Sequence, residues 1–262
     1  MIRLLAQVFA LCPILHAAEL TGEEIIRSAL EASHHQEVLR QQYVYHEHQE
    51  NGPAKPDGTP AKVRITRDFE VIFLEGDFYR KLVAVDGKPL KAKQAQEEEE
   101  KMRMTAVERK AKHPVRKGLH TGVPLSTLVS VMDHKLLREE EVGGRKYWVV
   151  QSEPKKDAAP GTPLETQALS YRYTHWIDEL EHAVFRKEWE VIGAGVDMKP
   201  GSTTKLLFGR NAEGAWLLQR ADLLILNGDK LGGNRFFQTN VFSDFRRFTT
   251  ETNVHFDDDP PL

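Results

Sequence analysis

Between Val63 and Phe73 the chain alternates with period two: Val63, Ile65, Phe69, Val71 and Phe73 share one side, and Arg64, Thr66, Asp68 and Glu70 share the other. Successive side chains of a strand point to opposite faces, so this pattern requires a half-buried β-strand. The run breaks at Glu75-Gly76-Asp77, where glycine accepts a positive φ, and apolar residues resume at Phe78, Leu82 and Val83. That is a hairpin. A second turn at Asp86-Gly87, followed by Lys88-Pro89, ends the returning strand, because proline has no amide hydrogen for a ladder. An antiparallel pair is therefore the unit beside which later segments add.

Those segments repeat the grammar. Gly143-Gly144 joins strands near Lys135–Val142 and Arg145–Gln151. Leu169, Tyr171, Tyr173, His175 and Ile177 alternate with polar residues, turn near Glu181-His182, and return through Phe185, Trp189 and Val191. A meander comes next: Thr204–Phe208, a turn at Asn211–Gly214, Trp216–Leu226, a turn at Asn227-Gly228-Asp229, and a last strand near Phe236–Phe248. With a strand around Tyr43–Gln49, about ten strands in neighbouring hairpins predict a mainly β (α+β) fold. The expected architecture is one curved antiparallel sheet or half-open barrel, with an N-terminal helix and one or two covering helices.

The helices have their own signals. Thr21 and Glu24 form a capping box before Ile25, Ile26, Ala29, Leu30 and Val38, which share a broad face. From Lys91 to His113 acidic residues precede basic ones, and the pairs Glu97–Lys101 and Glu99–Arg103 have helical spacing. Its stripe of Ala95, Met102, Ala106 and Val107 is thin, so this reads as a surface or cover helix. Pro124 stands at the first helical position of a short segment carrying Leu125, Leu128, Val129, Val131 and Met132. Asn51–Ala61, rich in proline and glycine, reads as a mobile loop, and Pro154–Pro163 as another.

At the N-terminus, Arg3, an apolar run from Leu4 to Leu15, and His16-Ala17-Ala18 read as a secretory signal peptide, cut after Ala17 or Ala18. The apolar run is far short of the roughly 20 residues that span a bilayer. Residues 1–18 are thus the expected signal, 19–256 one domain, and 257–262 a frayed acidic tail. The only cysteine, Cys12, falls within the signal, which leaves the exported chain without thiol chemistry. Leu11 before Cys12 is not small, against a lipoprotein anchor. A net charge of -3 with mixed signs gives no basic field for nucleic acid.

Three stretches carry a family resemblance: EGDFYRKLVAVDGKPL, THWIDELEHAVFRKEWEVI at Thr174–Ile192, and SDFRRFTTET at Ser243–Thr252. Together they resemble the outer-membrane lipoprotein-sorting proteins with the LolA/LolB-like fold, in their uncharacterised exported bacterial branch. The resemblance implies an amphipathic N-terminal helix before a half-open antiparallel barrel, with Trp176, Ile177 and Asp178 starting a hairpin. It also implies a periplasmic, non-catalytic carrier whose partner is a lipid or a lipoprotein acyl chain. The alternative is an envelope signalling module of the same fold, like anti-sigma-factor partners, that binds an envelope protein.

The candidate apolar lining for an acyl chain is Val63, Ile65, Phe69, Val71, Phe73, Leu169, Tyr171, Tyr173, Phe185 and Trp189. Each methylene moved there from water contributes about 0.8 kcal/mol. Inward alternation is the same in filled and hollow barrels, so these residues equally fit a core packed against the Thr21 helix. His46 and His48 flank Glu47 and would share a face, and His34 and His35 add further candidate metal ligands; no third ligand is set by spacing, so no metal or cofactor is expected. The chain has no nucleophile elbow, phosphate-cradling glycine loop or HExxH, and no catalytic residue is assigned.

Overall fold

The computed structural model describes residues 20–75, 77–112, 122–193, 198–226, 234–248 and 253–254. The expected signal peptide with Cys12, Gly76 of the first turn, the Asn227-Gly228-Asp229 turn and the acidic tail lie outside the described residues.

Thr21 caps helix α1 (Gly22–Arg40): its side chain accepts from the Glu24 amide while the Glu24 carboxylate accepts from the Thr21 amide, the reciprocal box expected. Strands β1 (Tyr43–Pro53), β2 (Ile65–Leu74), β3 (Asp77–Val85) and the two-residue β4 (Lys88–Pro89) come after it, then α2 (Ala92–Lys112) and α3 (Leu125–Val131). Next come β5 (Met132–Val142), β6 (Arg145–Pro154), α4 (Pro163–Ala168), β7 (Tyr171–Asp178), β8 (Val184–Val191), β9 (Thr203–Arg210), β10 (Trp216–Leu226), β11 (Arg235–Arg247) and β12 (Asn253–Val254).

All twelve strands form one sheet in the order β4-β3-β2-β1-β11-β10-β9-β8-β7-β6-β5, with β12 beside β2, curved and unclosed. Its single long-range step along that order pairs β1 with β11, which brings the first strand and the last long strand together inside the sheet. The fold class is as expected: the described residues form ten longer strands and two of two residues each, β4 and β12. One detail differs, in that β12 pairs in parallel with β2 at Phe73 and Leu74. Both two-residue turns match their chemistry: Asp86 and Gly87 take φ of 50° and 68°, and Gly143 and Gly144 take 59° and 79°. Such values suit the twist of a two-residue hairpin loop.

One face of the sheet, the inner face, receives α1, α3 and α4. Ile25, Ile26 and Ala29 of α1 meet Leu125, Leu128 and Val131 of α3 over Val150, Tyr171, Tyr173, Ile177 and Val191. Ile25 and Ile26 are wholly buried, each contributing roughly 1.5–3 kcal/mol by leaving water. Val38, placed on the apolar face from its spacing, is instead 59% exposed, because the last turns of α1 pass over the β9–β10 hairpin, which Gln36 and Arg40 grip by hydrogen bonds to Gly214 and Trp216.

Gly22 lets α1 dock. A Cβ there would lie 2.6 Å from the His134 carbonyl oxygen and 2.7 Å from the Leu136 amide, both backbone of β5. Alanine in a helix normally gains about 0.5–1 kcal/mol over glycine. Gly22→Ala is expected to reverse that sign and destabilise by about 1–3 kcal/mol through overpacking, measured by urea unfolding. An unchanged or raised midpoint would show that α1 is not held against β5.

Helix α2 sits on the opposite face of β2 and β3, where Met102 and Ala106 pack on Leu74, Tyr79 and Ile72. It is fastened by polar contacts that the charge pattern did not reveal. Glu98 is 8% exposed and accepts from the Tyr79 hydroxyl and the Leu82 amide, while Arg109 donates to the carbonyls of Leu74, Asp77 and Phe78. Four expected details are corrected. Ala95 and Val107 face solvent, and the acid-base pairs form as Lys93–Glu97, Glu98–Lys101 and Glu100–Arg103. Pro124 is the cap residue of α3 and precedes its first turn. The Asn51–Ala61 loop is displaced along the chain, since β1 runs to Pro53 and β2 starts at Ile65, and within it Lys55 closes a turn on Thr59.

Candidate functional site

The strand registers place residues of distant segments in rows across the inner face. One row runs Arg67, Gln49, Asn240, Ala221, Leu206, Lys187, His175, Val150 from β2 to β6. Neighbouring strands lie about 4.8 Å apart, so the row crosses the whole sheet. It is polar from Arg67 to Asn240, apolar at Ala221 and Leu206, and polar again at Lys187 and His175 before it ends on Val150.

At the β1/β2/β11 end, Glu47 is 3% exposed and is held from two sides. Arg80 donates from Nε and Nη2 to the two carboxylate oxygens, both at 2.7 Å, and the Asn240 amide donates to the same group. A bidentate guanidinium is the geometry that makes a buried carboxylate tolerable. The Arg80 guanidinium also lies over the Phe69 ring, 4.1 Å from its centroid. Burial first, and then the Glu47 charge, push the Tyr45 phenol up, so it stays neutral. Around this network Phe69, Phe78, Leu82 and Leu223 share the inner face and are only partly buried. Among the described residues no helix packs on that part of the face.

The other polar end lies under α3. Lys187 is opposite His175 in the β7–β8 register, and Tyr173 is opposite Trp189. The Lys187 Nζ donates to the Val123 carbonyl at 2.7 Å, just ahead of α3, and burial pushes its amine down to about 7. Burial also holds the His175 ring well below its ordinary value, with Lys187 adding to the effect. Next to them His134 shares a 2.7 Å hydrogen bond with Ser152 and is likewise lowered by burial.

The expected lining residues divide between two clusters and an open end. Val71 is buried and joins Tyr45, Leu206, Phe208 and Phe242, with Phe185 and Trp189 packed against the same cluster. Leu169, Tyr171, Tyr173 and Trp189 border the core beneath α1. Phe73 is buried between Phe78 and Phe248, the latter stacked at 4.8 Å. Phe69 lies under Arg80, Ile65 is half-buried, and Val63, before the start of β2, is 39% exposed. The structure thus brings Val71, Phe185, Trp189, Leu169, Tyr171 and Tyr173 into two adjoining clusters and leaves Val63, Ile65 and Phe69 toward the open end.

Sequence reasoning passed over Glu47, Arg80, Asn240, Lys187 and His175. Some signal was present, because Lys187 interrupts the alternation Phe185, Trp189, Val191, and His175 interrupts Tyr171, Tyr173, Ile177. Attention to His46 and His48 concealed Glu47 between them, which points to the opposite face. Those two histidines lie on the outer side near Asp68, at 3.8 and 2.6 Å, and the hydrogen bond to Asp68 raises His48. Among the described residues no group of three or more His, Cys, Asp or Glu is arranged to hold a metal ion. The outer face of β6–β9 also carries a polar groove of about 390 Å³ lined by Gln151, Arg172, Thr174, Glu188 and Lys205.

No family model matches this chain, and no curated protein is found similar to it. Solved structures are. A LolA superfamily protein, NE2245 from Nitrosomonas europaea, is 11% identical over 88% of this chain and 95% of its own, with a TM-score of 0.39. The chain resembles the LolA-like fold. A DUF1329 family protein from Desulfovibrio piger is 13% identical over 87% and 94%, TM-score 0.37. A Vibrio parahaemolyticus domain named for outer membrane lipoprotein sorting is 11% identical over 86% and 94%, TM-score 0.34. At such identities and scores the likeness carries no argument about function. No helix among the described residues is long and apolar enough to cross a membrane.

Proposed function

We propose that this protein is an exported, periplasmic binding protein that shelters an acyl chain, of a lipid or of a lipidated protein, without covalent chemistry. The observation that carries the reading is the part of the inner face that α1 and α3 leave uncovered, where Phe69, Phe78, Leu82 and Leu223 remain partly exposed. Large apolar side chains left accessible on a curved inner wall mark a ligand surface more often than a solvated one. The Glu47–Arg80–Asn240 network beside them supplies the few placed polar groups that orient a ligand's head. The signal-peptide pattern read at residues 1–18 supports the compartment.

Native mass spectrometry of the chain from Glu19 onward, purified from a bacterial periplasm without detergent, tests this. A reproducible added mass that extracts into organic solvent as a lipid is expected. A clean apo mass, with no uptake when phospholipid or lipopeptide is supplied, would overturn it. The second reading, an envelope signalling module that binds a protein, would then lead. It draws on α2, where Met104 and Val107 are 55% and 49% exposed.

A further inference from the structure

His175 is wholly buried under the helical cover of the inner face, and neither of its ring nitrogens has a hydrogen-bond partner. It stands on β7 between Tyr173 and Ile177, which share its face and pack with Leu125, Leu128 and Val131 of α3 and Ala168 of α4. The Tyr173 ring stacks on it at 6.2 Å. Buried polar atoms are paired in the great majority of cases, and a buried charge without a partner costs far more than a neutral group. His175 therefore stays in place only as the neutral ring.

The groups around it offer a proton no compensation. Lys187 of β8 lies opposite His175 and His134 of β5 acts on it from the other side; both disfavour another cation, and no carboxylate contributes. Val150 is its neighbour on β6, and burial pushes the Tyr173 phenol up, so that ring stays neutral. α3 carries no ionisable side chain, and Glu165 of α4 accepts from the Ser130 hydroxyl and the Gly161 amide at the surface. Glu23 of α1 comes within 3.8 Å of His134, where Asp133 also favours a proton and Lys155 and Arg27 oppose it. A proton on His134 thus finds a carboxylate, and one on His175 finds none. The cover above His175 is also the layer least held by its own structure. α3 has seven residues and no side-chain cap, and α4 has six. Helices that short do not persist alone in water, so packing on the sheet keeps them, whereas β7 has a ladder on each side.

We propose that His175 is a proton-operated latch: in mildly acidic medium its protonation releases α3 and α4 from the sheet and uncovers the apolar wall of Tyr171, Tyr173 and Ile177. The sign follows from where the proton can go. The closed form binds none at His175, whereas the open form exposes the ring and binds one below its ordinary value of 6.5, so the opening constant rises as pH falls. Well below that value the rise is about tenfold per pH unit. Lys187 titrates near 7 in the closed form and adds no slope below it, and ordinary carboxylates titrate lower still, which leaves the histidines the window between.

Hydrogen exchange of the full chain, read by mass spectrometry at about pH 7.5 and about pH 5 and corrected for the intrinsic pH dependence of exchange, is the test. The opening constant of Leu125–Val131 and Pro163–Ala168 is expected to rise about thirtyfold between the two, and at the lower pH to exceed that of Tyr171–Asp178 beneath them. His175→Phe, an uncharged ring of similar size, is expected to cut the rise to less than about threefold, and His134→Gln to leave most of it. Should His175→Phe fail to fold, the unaltered chain still decides. No rise would overturn the latch, and so would one common rate for α3, α4 and the strands β6 to β8, because the whole fold would then open together. A rise that survives His175→Phe and disappears in His134→Gln would overturn it as well, by moving the sensor to His134.

Discussion

Asp178→Ala is expected to lower the unfolding free energy by about 3 kcal/mol, the lower end of the loss seen when one member of a buried ion pair is removed. Asp178 is 1% exposed. One of its oxygens accepts from Arg145 Nε at 2.8 Å, and the other from the amides of Leu180 and Glu181 at 3.0 and 2.8 Å. The truncation therefore takes an acceptor from two turn amides and a guanidinium at once. The effect spreads because Arg145 also holds Glu181, which in turn accepts from the Trp216 indole and pairs with Arg210. Three hairpins, β5–β6, β7–β8 and β9–β10, meet there. Urea unfolding of the variant measures it, and a loss under about 1 kcal/mol would mean that the turn holds without its carboxylate.

The same site sets a pH dependence. Burial pushes the Asp178 carboxyl up, but the Arg145 hydrogen bond and the Glu181 and Leu180 amides outweigh it and hold it below its ordinary value. A carboxyl with a depressed folded value stabilises above its unfolded value, near 3.9, and that stabilisation is lost as pH falls through the folded one. The acid limb of the stability curve should accordingly be shallower in Asp178→Ala than in the unaltered chain.

Lys187 gives the second large effect, of opposite sense. Its amine titrates near 7 in the folded chain, whereas an unfolded lysine titrates near 10.4. Between those values the unfolded chain holds a proton that the folded one does not, so stability rises with pH across the window. The slope for one group is about 1.4 kcal/mol per pH unit. Below about 7 both states are protonated and this group's contribution to the pH dependence ends. Unfolding free energies from pH 7 to 10 should show this rise, and Lys187→Met, of similar length and uncharged, should flatten it and be more stable at neutral pH. A parallel pair of curves would show that Lys187 stays charged and finds its compensation elsewhere.

Local patterns in the chain determined the helix start at Thr21, the hairpins at Asp86-Gly87 and Gly143-Gly144, the Trp216–Leu226 strand to the residue, and the mainly β class. Each is a matter of neighbours: a cap and its third residue, a pair of positive φ angles, or a period of two. Alternation also said which residues share a face, but not which face is covered or what lies across from them. That depended on tertiary structure. The pairing of β1 with β11 brings Glu47 to Asn240 over 193 positions of chain, and the β7–β8 and β8–β9 registers set Lys187 between His175 and Leu206. Glu98 and Arg109 looked like members of a solvated charge run, and only the docking of α2 on the first hairpin made them its fasteners. Burial and ion pairing are properties of a surface assembled from segments far apart, and a charged residue carries no local mark of the partner that will make its burial tolerable.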